Sequence, residues 1–134
     1  MPVLRLEHVA LNVADPRAMA DWYVAHLGMR VVRQVKGPPH TRFLVDAGGA
    51  TVVELYENTA ARIPDYVRMD PLELHLAFDS RAPDADRDEL VRAGATALSD
   101  DRLPDGSRLL MLRDPWGLAL QLCARATPLV ERQL

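Results

Sequence analysis

The chain has 134 residues, a length typical of one domain. Its composition, 49% hydrophobic and 26% charged with a net charge of -3, excludes a disordered chain and a broad cationic surface for nucleic acid. One cysteine, Cys123, excludes an internal disulfide framework, and no apolar run approaches the roughly 20 residues that span a membrane. The first residues, MPVLRLEH, lack the pattern of a secretory signal, so we expect a cytoplasmic protein with no membrane partner.

The first half of the chain predicts a strand, a helix and three more strands. Val3 to Val13 alternates as a strand does, with His8 on the face opposite Val9, Leu11 and Val13. Asp15-Pro16 predicts the start of a helix over residues 16–27, and Gly28 predicts its end. The three further strands are expected at about residues 29–36, 41–47 and 50–57.

The second half predicts the same order of elements. Leu72 to Asp79 alternates with His75 on its less apolar face, Pro83 begins a helical pattern, and Gly94 ends it. The remaining strands are expected at about residues 96–99, 107–113 and 117–124.

Residues 67 positions apart correspond, which indicates an internal duplication. His8 matches His75, Pro16 matches Pro83, and Glu54 matches Gln121. We therefore predict an α+β fold with two tandem βαβββ modules, whose mixed sheets form a concave, partly closed barrel-like cavity. The single domain, residues 1–134, would comprise module one at about 1–58, a connector at about 59–71, module two at about 72–125 and a short C-terminal tail.

Four polar residues in this pattern are candidate metal ligands. Strand alternation turns Glu54 away from Val53 and Leu55, and turns Gln121 away from the leucines beside it. Each module thus contributes one residue from its first strand and one from its last. The predicted ligand set is His8, Glu54, His75 and Gln121.

The chemistry of this set suits one divalent ion of Fe, Mn, Ni, Co or Zn. Neutral imidazoles supply borderline nitrogen donors, and a carboxylate supplies a hard anionic oxygen. With Glu54 ionised, the ion and its ligands keep a formal charge of +1, which favours polarising a substrate carbonyl. A glutamine carbonyl oxygen would be a weaker, neutral ligand.

Several stretches resemble the vicinal-oxygen-chelate superfamily, which includes glyoxalase I, methylmalonyl-CoA epimerase, extradiol dioxygenases and bleomycin resistance proteins. The resemblance covers nearly the whole chain. The stretches that carry it are LEHVALNV at 6–13 followed by Asp15-Pro16, WYVAHLGMRV at 22–31, VVELYEN at 52–58, LELHLAF at 72–78 and DPWGLALQL at 114–122.

The resemblance implies that His8, Glu54, His75 and Gln121 occupy the four metal positions of glyoxalase-like and epimerase-like members. The fourth position is usually glutamate in those enzymes, where it is a ligand and in some members a base. Gln121 can coordinate through its oxygen but cannot accept a proton at neutral pH. Glu54 is therefore the candidate catalytic residue, as ligand and base.

The leading hypothesis is a metal-dependent glyoxalase-like lyase or isomerase, whose small substrate chelates the ion through vicinal oxygens. One alternative is a non-catalytic binder of an antibiotic or toxin, of the bleomycin-resistance type. Another is an Fe(II) extradiol-type dioxygenase, although Gln121 stands where such enzymes place their carboxylate. The resemblance also implies a homodimer, with sites formed within one chain or across two.

The sequence also predicts roles for several residues outside the ligand set. Asn12 and Tyr56 share strand faces with His8 and Glu54, so they are candidate substrate-binding residues. Cys123 is expected to be a small packed residue without a catalytic role. The remaining expectations place Trp22 and Tyr23 in the core or an interface, His26 and His40 at the surface, and Asp100-Asp101 in a solvated loop.

Overall fold

The computed structural model describes residues 1–49 and 52–130. The chain divides into two compact units, Met1–Pro64 and a second that begins at Asp65. This boundary falls inside the segment 59–71 that the sequence suggests as a connector.

The first unit is a four-stranded mixed sheet with one helix against it. Its elements are β1 (Val9–Asn12), α1 (Pro16–Leu27), β2 (Arg30–Gln34), β3 (Arg42–Val45) and β4 (Val52–Tyr56). The strands lie in the order β1-β4-β3-β2, where β1 runs parallel to β4 and the other neighbours are antiparallel.

The second unit repeats this architecture. Its elements are β5 (Leu76–Asp79), α2 (Pro83–Arg92), β6 (Thr96–Arg102), β7 (Arg108–Arg113) and β8 (Ala119–Ala124). The strand order β5-β8-β7-β6 has the same parallel and antiparallel neighbours as the first sheet. The α+β class and the two tandem βαβββ modules are confirmed. Each unit by itself has an open sheet.

The register of the parallel pair β1–β4 is repeated by the pair β5–β8, which supports the duplication. Ala10 lies opposite Glu54 in the first sheet, and Ala77 lies opposite Gln121 in the second. Both residues of the second pair are 67 positions beyond those of the first. The proposed correspondence between Glu54 and Gln121 is therefore a correspondence of backbone positions.

Local sequence explains the ends of α1. The Asp15 carboxylate accepts a hydrogen bond from the Ala18 amide at 3.1 Å, and Pro16 occupies the first turn, where no intrahelical donor is lost. Gly28 ends the helix in the left-handed region at φ 67°, which glycine adopts without a Cβ penalty. Within the described residues, neither helix is long and apolar enough to cross a membrane.

Each helix covers the apolar face of its own sheet. Strand alternation buries Val53 and Leu55 in the first unit and leaves Glu54 between them half-buried on the other face. Tyr23 and Trp22 of α1 lie in this core, as predicted. The buried leucines of the second unit are Leu90, Leu110, Leu112, Leu118, Leu120 and Leu122.

The first strand of each unit is shorter than the sequence suggests. Alternation predicts strands from Val3 and Leu72, but β1 begins at Val9 and β5 at Leu76. In the second unit a tight turn precedes β5, since Asp70 Oδ1 accepts from the Leu72 amide and Glu73 Oε2 accepts from the Asp70 amide, both at 2.8 Å. Alternation alone does not supply the partner strand that a ladder requires.

The prediction of a loop at Asp100-Asp101 is wrong, although both residues are exposed as expected. Both belong to β6, where Asp100 lies opposite Leu110 and Asp101 lies opposite Leu109. Arg108 Nη2 lies 2.6 Å from Asp100 Oδ2, an ion pair between the two strands. Consecutive carboxylates resemble a loop in sequence, but pairing with β7 keeps them in extended structure.

Candidate metal centre

His8 lies directly before β1, and a neighbouring carboxylate fixes its tautomer. Its Nδ1 is 2.8 Å from Oε1 of Glu7. A carboxylate oxygen only accepts, so Nδ1 carries the hydrogen of the neutral ring and donates it. Nε2 is then left with its lone pair. This is the arrangement in which a histidine serves as a metal ligand.

Glu54 shares a sheet face with the His8 ring. The ring packs edge-on against Phe43, with centroids 5.9 Å apart and planes at 85°, and Phe43 lies opposite Glu54 in the sheet. Residues directly opposite in a ladder point to the same face. Within the described residues, the half-buried Glu54 carboxylate forms no hydrogen bond or ion pair. The first unit thus offers one imidazole nitrogen and one carboxylate.

His75 repeats the orientation of His8 with a different acceptor. Its Nδ1 is 2.8 Å from the carbonyl oxygen of Pro71, four residues earlier in the turn before β5. A carbonyl oxygen also only accepts, so Nδ1 again carries the hydrogen and Nε2 keeps its lone pair. Both histidines are therefore held in the tautomer that suits coordination.

Gln121 differs from its counterpart because its oxygen already has a donor. The Cys123 thiol donates to Gln121 Oε1, with sulfur and oxygen 3.3 Å apart. Burial raises the pKa of the Cys123 thiol, so the thiol stays protonated and keeps its hydrogen. A carbonyl oxygen has two lone pairs, and one remains for a metal or a substrate. Cys123 is buried, as predicted.

The side-chain amide of Asn12 is hydrogen-bonded to the backbone. Its Nδ2 donates to the Asn58 carbonyl at 2.9 Å, and its Oδ1 accepts from the Asn58 amide at 2.8 Å. These bonds connect the end of β1 to the residue that follows β4 by two positions. Tyr56 lies opposite Asn12 in the sheet and is half-buried. A substrate-binding role for either residue stays a prediction.

Each unit holds one pair of the predicted ligands, His8 and Glu54 in the first and His75 and Gln121 in the second. In the part of the chain that the structure describes, no group of three or more His, Cys, Asp and Glu residues is placed to hold one ion. The donor chemistry of each pair nevertheless fits a divalent metal, because the imidazoles are oriented and the Glu54 carboxylate has no other partner among the described residues. The four-residue centre remains a prediction.

Sequence reasoning missed the groups that orient the histidines. Glu7 stood next to His8, and an acidic neighbour is a signal that could have been used. No sequence pattern indicated the Pro71 carbonyl as an acceptor, because the turn before β5 is what brings it within hydrogen-bond distance of His75. Neither predicted surface histidine is fully exposed, since His26 packs on Trp22 with ring centroids 5.2 Å apart and His40 is half-buried.

The duplicated βαβββ fold and its paired polar positions define a protein of the vicinal-oxygen-chelate class. The glyoxalase-like domain family matches residues 8–123, which is most of the chain. The chain belongs to this family. No curated protein matches it significantly.

Solved structures of the same fold carry different names. TnmS3, an antibiotic binding protein from Streptomyces sp. CB03234, is 20% identical with a TM-score of 0.73, covering 94% of this chain and 99% of that one. A glyoxalase/bleomycin resistance protein/dioxygenase superfamily member from Sphaerobacter thermophilus DSM 20745 is 21% identical with a TM-score of 0.72, covering 92% and 98%. A glyoxalase-related enzyme from Fulvimarina pelagi is 19% identical with a TM-score of 0.68, covering 92% and 89%. At these identities the likeness concerns the fold.

Proposed function

We propose that the protein is a metal-dependent lyase or isomerase of the glyoxalase-like kind, acting on a small substrate with two adjacent oxygens. The observation that carries this proposal is the matched orientation of His8 and His75. At equivalent positions of the two units, each ring donates its Nδ1 hydrogen to an oxygen and keeps the Nε2 lone pair. This orientation is the one that a pair of metal-ligating histidines requires.

In this proposal His8, Glu54, His75 and Gln121 hold one divalent ion, of Fe, Mn, Ni, Co or Zn, at a concave surface lined by both sheets. The bound ion would supply Lewis-acid chemistry, which acidifies a carbon next to a substrate carbonyl. Glu54 is the group that moves the proton, because it is the one carboxylate among the four residues. Its carboxylate accepts the proton from one carbon and returns it to another atom of the same substrate.

Gln121 restricts the mechanism to one protein base. An amide does not accept a proton at neutral pH, and the Cys123 thiol already holds one side of its oxygen. Gln121 therefore orients the substrate or completes the coordination, while Glu54 alone carries the proton. Replacing Glu54 with Gln should abolish turnover, and Gln121→Glu should retain metal at least as tightly because it adds an anionic ligand.

The direct test is metal content after purification without chelator, followed by titration with each candidate metal. Wild-type protein should bind one ion per chain, and His8→Ala and His75→Ala should each lose it. His40→Ala is the matched control, because this histidine lies outside the predicted ligand set. Wild-type protein that stays free of metal after reconstitution would overturn the proposal.

A second candidate is a non-catalytic binder of a small molecule. It is favoured by Gln121, which removes the usual second carboxylate and whose oxygen already accepts a thiol hydrogen bond. TnmS3, which has the same fold, is named as an antibiotic binding protein. Ligand binding that survives chelator and the variants His8→Ala, Glu54→Ala and His75→Ala would support this candidate against the enzyme.

We also propose that the protein is a cytoplasmic homodimer. The support for a second copy is the apolar segment before β1, where Val3, Leu4 and Leu6 are 95%, 85% and 76% exposed. Exposed apolar runs of this kind favour association. Light scattering coupled to gel filtration should give twice the chain mass, and Leu4→Glu with Leu6→Glu should give the monomer.

A further inference from the structure

We propose that the second unit carries a binding site for a small oxyanion, the carboxylate or phosphate group of a metabolite. The site is a cavity of about 710 Å³ at the carboxyl ends of β5 and β8. This volume lies within the range of about 300–1,000 Å³ that small-molecule sites occupy. The cavity is lined by Asp79, Ser80, Arg81, Gly106, Ala124, Arg125, Ala126 and Pro128.

The first unit provides an internal reference for this place in the fold. The Ser80 amide donates to the Cys123 carbonyl at 2.9 Å, and 67 positions earlier the Val13 amide donates to the Tyr56 carbonyl at 2.8 Å. The backbones at the two strand ends are thus closed in the same way. Differences beyond this hydrogen bond come from the side chains and from the path of the chain that follows.

In the first unit a pair of asparagines occupies the strand ends. Asn12 both donates to and accepts from the backbone of Asn58, as described for the candidate metal centre. The Asn58 side chain also accepts from the Ala60 amide at 3.0 Å, which turns the following chain back over the strand end. The polar groups of this pair are therefore occupied within the unit.

The corresponding positions in the second unit carry opposite charges. Asp79 stands where Asn12 stands, and Arg125 stands where Asn58 stands. The chain after Arg125 also leaves in another direction, because the Ala126 amide donates to Ser107 Oγ at 2.9 Å and runs beside the turn between β6 and β7. The hydrogen-bonded asparagine pair of the first unit therefore corresponds to a cavity lined by charged residues in the second unit.

Small residues leave space for a ligand in this cavity, and two arginines contribute positive charge to its lining. Gly106, Ala124 and Ala126 present no long side chain to the space. Arg81 and Arg125 line the cavity beside Asp79, and the Asp105 carboxylate also lies near Arg125. Among the described residues Arg81 forms no hydrogen bond or ion pair, so its guanidinium is available to an anion. Guanidinium groups bind carboxylate and phosphate through two parallel hydrogen bonds.

The test is titration calorimetry of the full chain with inorganic phosphate and, separately, with malonate, both in the presence of chelator. Wild-type protein should bind at least one of these anions, and the preferred anion assigns the ligand group. Arg125→Gln and Arg81→Gln should each weaken binding about ten- to hundredfold, the usual effect of losing a charge-assisted hydrogen bond. Arg92→Gln, an exposed arginine of α2 outside the cavity, should leave binding unchanged.

A double variant uses the duplication directly. Asp79→Asn with Arg125→Asn copies the asparagine pair of the first unit into the second. Because it removes one guanidinium, anion binding should weaken about as much as in Arg125→Gln, while the protein keeps its thermal unfolding midpoint. If Arg125→Gln does not fold, Arg81→Gln tests the same prediction, because Arg81 is exposed and its substitution leaves the core unchanged. Failure of both anions to bind wild-type protein, or equal affinity in all variants, would overturn the proposal. His75→Ala should leave anion binding intact, which separates this site from the candidate metal centre.

Discussion

The Nδ1 hydrogen bonds of the two histidines determine what the rings can do, and they differ in kind. His8 donates to a side chain that substitution can remove, whereas His75 donates to a backbone carbonyl that substitution leaves in place. The orientation of His8 is therefore open to mutational test at the residue that holds it. Glu7 is a positioning residue in this proposal, because it touches His8 and no other predicted ligand.

Glu7→Ala should weaken metal binding about tenfold, the lower end of the effect of removing a group that orients a ligating histidine. Glu7→Gln should restore most of the affinity, because its amide oxygen still accepts the Nδ1 hydrogen. Titration calorimetry with the metal measures the affinity of both variants. Equal affinity in wild-type protein and Glu7→Ala would show that His8 is oriented without Glu7.

The elements of the second unit are joined by polar contacts that a secondary-structure pattern does not show. The Arg113 guanidinium donates to the carbonyls of Tyr66, Met69 and Gly117 at 2.8–3.0 Å, which ties the segment before β5 to the turn between β7 and β8. The same turn is closed by Asp114, whose Oδ1 accepts from the amides of Trp116 and Leu118. These bonds keep the turn in place at the start of β8, the strand that carries Gln121.

Gly117→Ala should destabilise the protein by about 2–4 kcal/mol, combining the cost of a left-handed residue with that of overpacking. Gly117 has φ 95°, and a Cβ there would lie 2.7 Å from the backbone nitrogen of Val67. Chemical denaturation measures the loss. Gly106→Ala is the matched control, since Gly106 has φ 91° but open space around it, and it should lose only the conformational part.

Arg108 links α2 to β6 and makes the second unit sensitive to acid. Its guanidinium binds Asp84 with two hydrogen bonds of 3.0 Å and also binds Asp100. These bonds lower the pKa of both aspartates below their ordinary value of 3.8. A carboxylate with a lowered folded pKa stabilises the protein above its unfolded pKa, and this stabilisation is lost as the pH falls through the folded value.

Arg108→Met should therefore flatten the dependence of stability on pH. The free energy of unfolding of wild-type protein should fall more steeply between about pH 5 and about pH 2 than that of the variant, because the variant lacks the linked protonation of Asp84 and Asp100. Urea denaturation at each pH gives the two slopes. Arg92→Met should keep the wild-type slope. Parallel slopes for wild-type protein and Arg108→Met would contradict the assigned linkage.

Sequence patterns located the elements well because helices and buried strands follow local periodicity. Asp15-Pro16 and Gly28 marked the ends of α1 correctly, and alternation placed Val53 and Leu55 in the core. The patterns failed where a partner decides the structure. Asp100 lies in β6 because that strand pairs with β7, and the first strands stop short of Val3 and Leu72, since pairing depends on residues distant in sequence.

At the scale of the whole molecule, the duplication was the strongest sequence signal, and the structure confirms it in the register of the parallel strand pair of each sheet. The candidate site was harder to predict. Parity placed Glu54 and Gln121 on the faces opposite their cores, and the partners of Gln121 and His8 are near neighbours in sequence, but the Pro71 carbonyl that orients His75 comes from turn geometry. The sequence therefore identified the polar positions and not their hydrogen bonds.

Metal binding should also appear in the stability of the whole chain. An ion that binds only the folded protein, present at about 100 times its dissociation constant, adds about 2.7 kcal/mol to the free energy of unfolding. The thermal midpoint of wild-type protein should rise with the bound metal and fall back with chelator. His8→Ala with His75→Ala should show no shift, whereas His26→Ala should behave as wild-type protein does.

The strand pairs β1–β4 and β5–β8 share one register, so along these strands the chain compares one structural unit with itself. A substitution on one of these strands has a twin 67 residues away in the same pairing, so the difference between the effects of the twins measures specialisation rather than fold. Glu54 and Gln121 form one such pair, and Asn12 and Asp79 form another. In each pair one unit carries a charged residue where the other carries an amide. These differences show where the two units have become specialised.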